Sequence, residues 1–178
     1  MNRRNFVIGT GAIATSVGVG SLALTSATVE RSVNIGVATD NAAVVGLIPG
    51  STSAASLANG DQLEIDTSTS NANGLNTEAT FEYGDPANPT STNLFSIVNN
   101  SGSEQEFTVE FARSSSGDGS VTFELYDNSG SSVGNVTTSQ SQTFTLSSAA
   151  QYYVVMTVDT TGTADGDQLG GTLTFSVN

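Results

Sequence analysis

The chain has 178 residues, of which 17 are Asp or Glu and four are Arg, with no Lys, His, Cys or Trp. Without His, no Ser-His-Asp, Cys-His or His-zinc centre can be built; without Cys, neither a disulfide framework nor a thiolate zinc site is possible. The net charge of −13 repels nucleic acid and anionic membrane surfaces.

Residues 1–27 are predicted to be an export signal. Arg3 and Arg4 precede Phe6, and an uncharged run from Val7 to Leu24 ends in Thr25-Ser26-Ala27, small residues of the kind a signal peptidase reads. Paired arginines before a weakly apolar run resemble the twin-arginine signal, which exports proteins already folded. An ordinary secretory signal and an uncleaved anchor are the alternatives; four glycines in the run weigh against the anchor. Cleavage would leave 151 residues carrying two arginines against 17 acids, a net −15. The absence of Lys suits a protein made for molar salt, where a Debye length of about 3 Å screens self-repulsion. The plainer reading is a soluble secreted protein.

Thr28–Val37 follows at once. Val29, Val33, Ile35 and Val37 lie on one parity, and Glu30, Ser32, Asn34 and Gly36 lie on the other. A period of two predicts a strand with one face made for burial. Arg31 is the single break on the apolar face. No short turn follows, so the sheet partner of this strand need not be its neighbour in sequence. It closes either its own domain or the next copy's domain.

Ala42–Ile48 is a short apolar run ending at the turn signal Pro49-Gly50, and Ser51–Asn59 reads as a surface loop. Strands are expected at Asp61–Asp66 and Thr77–Tyr83, with loops at Thr67–Asn76 and Gly84–Thr92. Further strands are expected at Leu94–Val98, Glu104–Arg113, Ser120–Asp127, Ser132–Thr137, Gln142–Leu146, Gln151–Asp159 and Gly171–Asn178. In Glu104–Arg113, Phe107, Val109 and Phe111 alternate with Glu106, Thr108 and Glu110. Gln151–Asp159 carries apolar residues on both parities, which predicts cover on both faces. About ten short strands separated by turn chemistry, with no helical period, predict an all-β fold: a two-sheet, jelly-roll-like sandwich over residues 38–178.

Glu30-Arg31-Ser32-Val33, Ala38-Thr39-Asp40-Asn41-Ala42-Ala43, Gly46-Leu47, Gly74-Leu75-Asn76-Thr77-Glu78-Ala79 and Leu94-Phe95-Ser96-Ile97-Val98-Asn99-Asn100 resemble the start of a family of secreted haloarchaeal β-domain proteins without assigned function. The likeness covers roughly residues 1–111. The layout of a signal, an immediate strand and a jelly roll is also similar to the TasA and camelysin proteins of bacterial biofilms and to archaeal bundling pilins. That resemblance implies a homopolymer joined head to tail, in which the first strand of one subunit completes the sheet of the next. Val29, Arg31, Val33, Ile35 and Val37 would then form the subunit interface. Camelysin has been classed as a metalloprotease; with no His here, that activity does not carry over.

Other sites are weighed beside plainer readings. Asp159, Asp165 and Asp167 could offer oxygen ligands to calcium, but the loop lacks the full spacing of a calcium loop, and in a chain this acidic such a cluster is usually solvated surface. Asp61, Glu64 and Asp66 fall on opposite parities. Glu104, Glu106 and Glu110 share one outward face without an aromatic platform and read as an acidic stripe rather than a glycosidase pair. Asn99-Asn100-Ser101 and Asn135-Val136-Thr137 fit the N-glycosylation pattern at Asn99 and Asn135. Arg113 is expected to pair with a carboxylate. No cofactor other than calcium and no enzymatic activity are expected. The expected function is a subunit of an extracellular or cell-surface filament, with a monomeric calcium- or glycan-binding surface module as the alternative.

Overall fold

A computed structural model describes residues 40–58, 62–67, 75–165 and 167–178. The expected export signal and the strand at 28–37 lie outside the described residues. After a short 3-10 turn at Asp40–Ala42 come eleven strands. They are β1 (Val45–Pro49), β2 (Ala55–Ala58), β3 (Gln62–Ile65), β4 (Thr80–Tyr83), β5 (Phe95–Asn99) and β6 (Gln105–Arg113). β7 (Ser120–Tyr126), β8 (Ser132–Thr137), β9 (Ser141–Leu146), β10 (Gln151–Asp159) and β11 (Gly171–Val177) follow.

The strands form three antiparallel sheets. The largest has the order β1-β5-β10-β7-β8, and β4 also pairs with β10, giving six strands. A three-stranded sheet has the order β11-β6-β9, and β2-β3 is a separate hairpin. The fold is all-β and sandwich-like. Its two larger sheets meet through aromatic pairs: Phe95 against Phe175 at 6.1 Å, Phe111 against Phe123 at 5.3 Å, and Phe144 against Tyr152 at 6.4 Å.

Alternation explains the central strands. Phe107, Val109 and Phe111 of β6 and Val121, Phe123 and Leu125 of β7 are all buried, as their shared parity requires. β10 is covered on both faces, as expected. Val154, Met156 and Val158 face the core, and Val155 is buried on the opposite face. Gly84 supplies part of that outer cover. Its φ of +111° favours a residue without a side chain, and a Cβ there would lie 2.9 Å from the Val155 methyl.

Three local expectations change. The loop expected at Ser51–Asn59 contains β2, which pairs Ala55 with Ile65 and Leu57 with Leu63. Ala-Ser-Leu-Ala carries little alternation, and its pairing with β3 makes it a strand. Pro49 does not stop the chain before the turn; it is the last residue of β1, opposite Phe95. β1 is an edge strand, where a missing N–H is tolerated. β4 starts later than expected, at Thr80. Ahead of it, Glu78 has a φ of 55°, and the buried Thr160 hydroxyl accepts from the Ala79 N–H and lies 2.7 Å from the Asn76 carbonyl.

Burial is uneven across the core. The inward residues of β5, β6, β7 and β9 are closed off. Leu63 and Ile65 of β3, Phe81 and Tyr83 of β4, and Leu173 and Phe175 of β11 are only half-buried, although all pack on the same core.

Tyr126 gives a test of packing at the end of β7. Burial of its ring raises the phenol, the hydrogen-bonded Glu124 carboxylate raises it further, and Glu82 adds a smaller repulsion; together they push it up to about 12 from 10.0. In the unfolded chain the phenol ionises near its ordinary value. Folded stability is therefore present below pH 10 and is lost as pH rises from there towards 12. Tyr126→Phe is expected to flatten this loss, read from denaturation midpoints between pH 9 and pH 12. Equal slopes for both proteins would refute the assignment.

Candidate functional site

Two of these half-buried side chains, Ile65 and Leu173, line one opening. A cavity of about 590 Å³ has aliphatic lining from Ile65, Leu75, Leu169 and Leu173. Its floor includes Phe111, Phe123, Met156 and Val158. Asp66, Asp165 and Asp167 add carboxylates to an otherwise largely apolar lining.

Two strand edges border the same space. β3 pairs only with β2, and β11 pairs only with β6, among the described strands. An unpaired edge leaves N–H and C=O groups free to bind another strand. On the β3 side, the Leu63 N–H donates to the Asp40 carboxylate at 2.8 Å. This bond holds the first described residue against the hairpin. β1 is another sheet edge, with Val44 53% and Ile48 39% exposed.

The loop from 160 to 170 is tied down by Arg113. Its guanidinium donates to the carbonyls of Gly117 and Gly119 at 3.0 and 3.2 Å, and to the Gln168 carbonyl at 3.2 Å. Among the described residues, its partners are backbone carbonyls in place of the expected carboxylate. An arginine fork can serve several such acceptors at once, which fixes the turn after β6 to the approach of β11. The Ser115 hydroxyl adds a 2.6 Å bond to the same Gln168 carbonyl.

The calcium candidates are held within local turns. Asp159 accepts from the hydroxyl and the N–H of Thr161, which holds its carboxyl below the ordinary range. Asp167 accepts from the Ala164 N–H at 2.8 Å, and Asp165 is exposed. Among the described residues, no group of three or more acidic side chains is placed to hold a metal ion.

The two sequons differ. Asn135 is exposed on β8, an edge strand. Asn99 is 1% exposed, and its amide nitrogen donates to the carbonyls of Ser103, Leu146 and Ser147. Its oxygen accepts from the N–H and hydroxyl of Ser101, the sequon's own serine. The folded domain does not present the Asn99 nitrogen to a glycosylating enzyme. Here the expectation is corrected: Asn99 joins β5 to the end of β9. The apolar run leading into Asn99 was the available signal. A polar residue that ends a buried strand needs buried partners.

Glu106 and Glu110 lie on the exposed face of the three-stranded sheet among Thr and Ser, including the bonded pair Thr108 and Thr143. No protein-family model matches the chain, and no curated protein matches it.

Proposed function

We propose that this chain is a secreted structural subunit, built as a jelly-roll-like sandwich and assembled head to tail into an extracellular filament. The first strand, Thr28–Val37, crosses from each subunit to the next. One observation carries the reading: Ile65 of β3 and Leu173 of β11 are half-buried and line one cavity with Phe111, Phe123, Met156 and Val158, so the core lacks cover there.

Val29, Val33, Ile35 and Val37 fit that lack. Each contributes about 1.5–3 kcal/mol on full burial. Some eight backbone hydrogen bonds at about 1 kcal/mol each would add to the link. A head-to-tail contact that does not close into a ring gives a fibre. Twin-arginine export of an already folded chain and assembly in high salt belong to the same reading.

The test is deletion of residues 28–37 from the chain that begins at Thr28. The shortened protein is expected to unfold more readily, and a synthetic peptide of residues 28–37 is expected to restore its melting temperature. The protein beginning at Thr28 is expected to form filaments in high salt under negative-stain microscopy. Uniform small particles at every concentration, with a cooperative deletion variant indifferent to the peptide, would shift the function to a monomeric surface module.

A further inference from the structure

We infer that Asn135 is the N-glycan acceptor of this protein and that Asn99, which carries the same sequence pattern, is not. These two asparagines alone stand in the pattern Asn-x-Ser/Thr with x other than Pro; Asn88-Pro89-Thr90 is excluded by its proline. The inference rests on export, the part of the proposal above that brings the chain to a glycosylating enzyme. It is independent of how subunits join.

A transferase must reach the acceptor nitrogen and the hydroxyl two residues on. β8 ends the path of the six-stranded sheet, with β7 as its strand neighbour. Val136 is buried in the core, so alternation turns Asn135 to the outer face. There Asn135 is exposed, opposite Glu124 of β7. That carboxylate accepts from the Ser132 hydroxyl at 2.6 Å. Among the described residues, no hydrogen bond holds the Asn135 side chain. The Thr137 hydroxyl donates to the Gln140 side-chain oxygen at 2.9 Å, an exposed bond that opens to solvent. The Asn99 side chain, by contrast, donates to three carbonyls and accepts two bonds from Ser101.

The backbone at the two sites differs in the same direction. Leu125 pairs with Gly134 and Tyr126 with Ser132, so Val133 is an extra residue, and Gly134 has a φ of 146°. This bulge interrupts the ladder just before the acceptor. Lifting residues 135–137 into an enzyme disturbs one strand pair. Exposing Asn99 means parting β5 from both β1 and β10.

The donor is a lipid-phosphate-linked oligosaccharide. The Asn135 amide nitrogen attacks the anomeric carbon of its first sugar, forming a C–N bond. The C–O bond to the phosphate breaks, the lipid phosphate leaves with that electron pair, and one amide proton is released to solvent.

The test uses the folded protein beginning at Thr28, a polyprenyl-phosphate-linked oligosaccharide, and an oligosaccharyltransferase chosen because it modifies synthetic peptides of residues 96–104 and 132–140 alike. Intact mass and glycopeptide sequencing are the readouts. The folded protein is expected to gain one glycan, at Asn135. Asn135→Gln is expected to lose all transfer with an unchanged urea midpoint. Asn99→Gln is expected to lower the midpoint and keep the glycan. Transfer to Asn99 in the folded protein, none to Asn135, or a lowered midpoint for Asn135→Gln would overturn the inference. The chain recovered from outside the cells that make it is expected to carry the Asn135 glycan, and an exported chain bare at that position would overturn it as well. A chain found only inside those cells would overturn the export reading alone, since the purified assay still decides the acceptor.

Discussion

Asn99→Asp is expected to be among the most damaging single-atom changes in this protein. Asn99 is fully buried, and its amide nitrogen serves three carbonyls: Ser103 at 2.8 Å, Leu146 at 2.9 Å and Ser147 at 3.0 Å. Two of these belong to the end of β9 and the turn after it, on the opposite sheet. Exchanging the donor for a carboxylate oxygen sets acceptor against acceptor. Each buried polar group left unpaired costs about 1–3 kcal/mol, so a loss of roughly 3 kcal/mol or more follows. The introduced carboxyl resists ionisation, because burial and the facing carbonyls both disfavour its charge. With the folded-state pKa raised, stability is retained at low pH and lost as pH rises through that value. Urea midpoints should therefore differ from wild type more at pH 7 than at pH 4. Asn99→Leu removes the charge question and is expected to remain destabilised at both. An unchanged midpoint in either variant would show that Asn99 does not join the sheets.

Phe107→Ala is expected to have a comparable effect through packing alone. Phe107 is 0% exposed, stacks on Phe144 at 5.7 Å and lies 6.4 Å from Tyr152. It sits opposite Phe144 in the β6-β9 register, while Tyr152 reaches across from β10. The Tyr152 hydroxyl also donates to the Thr145 carbonyl at 2.6 Å. Truncation opens a cavity where three rings meet, at a typical cost of about 3–5 kcal/mol. For a domain of this size that corresponds to a melting-temperature drop on the order of 10 °C. Phe107→Leu keeps most of the volume and should lose markedly less. Equal losses for Ala and Leu would mean that ring geometry matters and filled volume does not.

Neither Asn99 nor Phe107 lines the cavity that Ile65 and Leu173 border. Their losses should persist whether or not residues 28–37 are present, which separates core stability from assembly.

Single residues show why some of the structure was readable and some was not. Phe107, Val109 and Phe111 announce a half-buried strand because a side-chain period of two survives in the sequence. Ala55–Ala58 announces nothing, since two alanines and one leucine bury too little to stand out. Asn99 was legible as a match to the N-glycosylation pattern after an apolar run, but its buried partners were not. Its partners lie as far as 48 residues away, and a sequon says nothing about them. Arg113 was legible as a scarce cation, but its acceptors are backbone carbonyls, which every residue carries.

By itself the sequence determined the strand-rich class, most strand positions and which parity faces inward, because these follow from local alternation and turn chemistry. It also excluded His- and Cys-based chemistry. Only the tertiary structure decided that β4 and β5 share one side of β10, that β2 and β3 stand apart from β11, and that Ile65 and Leu173 line one cavity. Those outcomes depend on which edges meet, and alternation carries a face for every residue but no address for its partner.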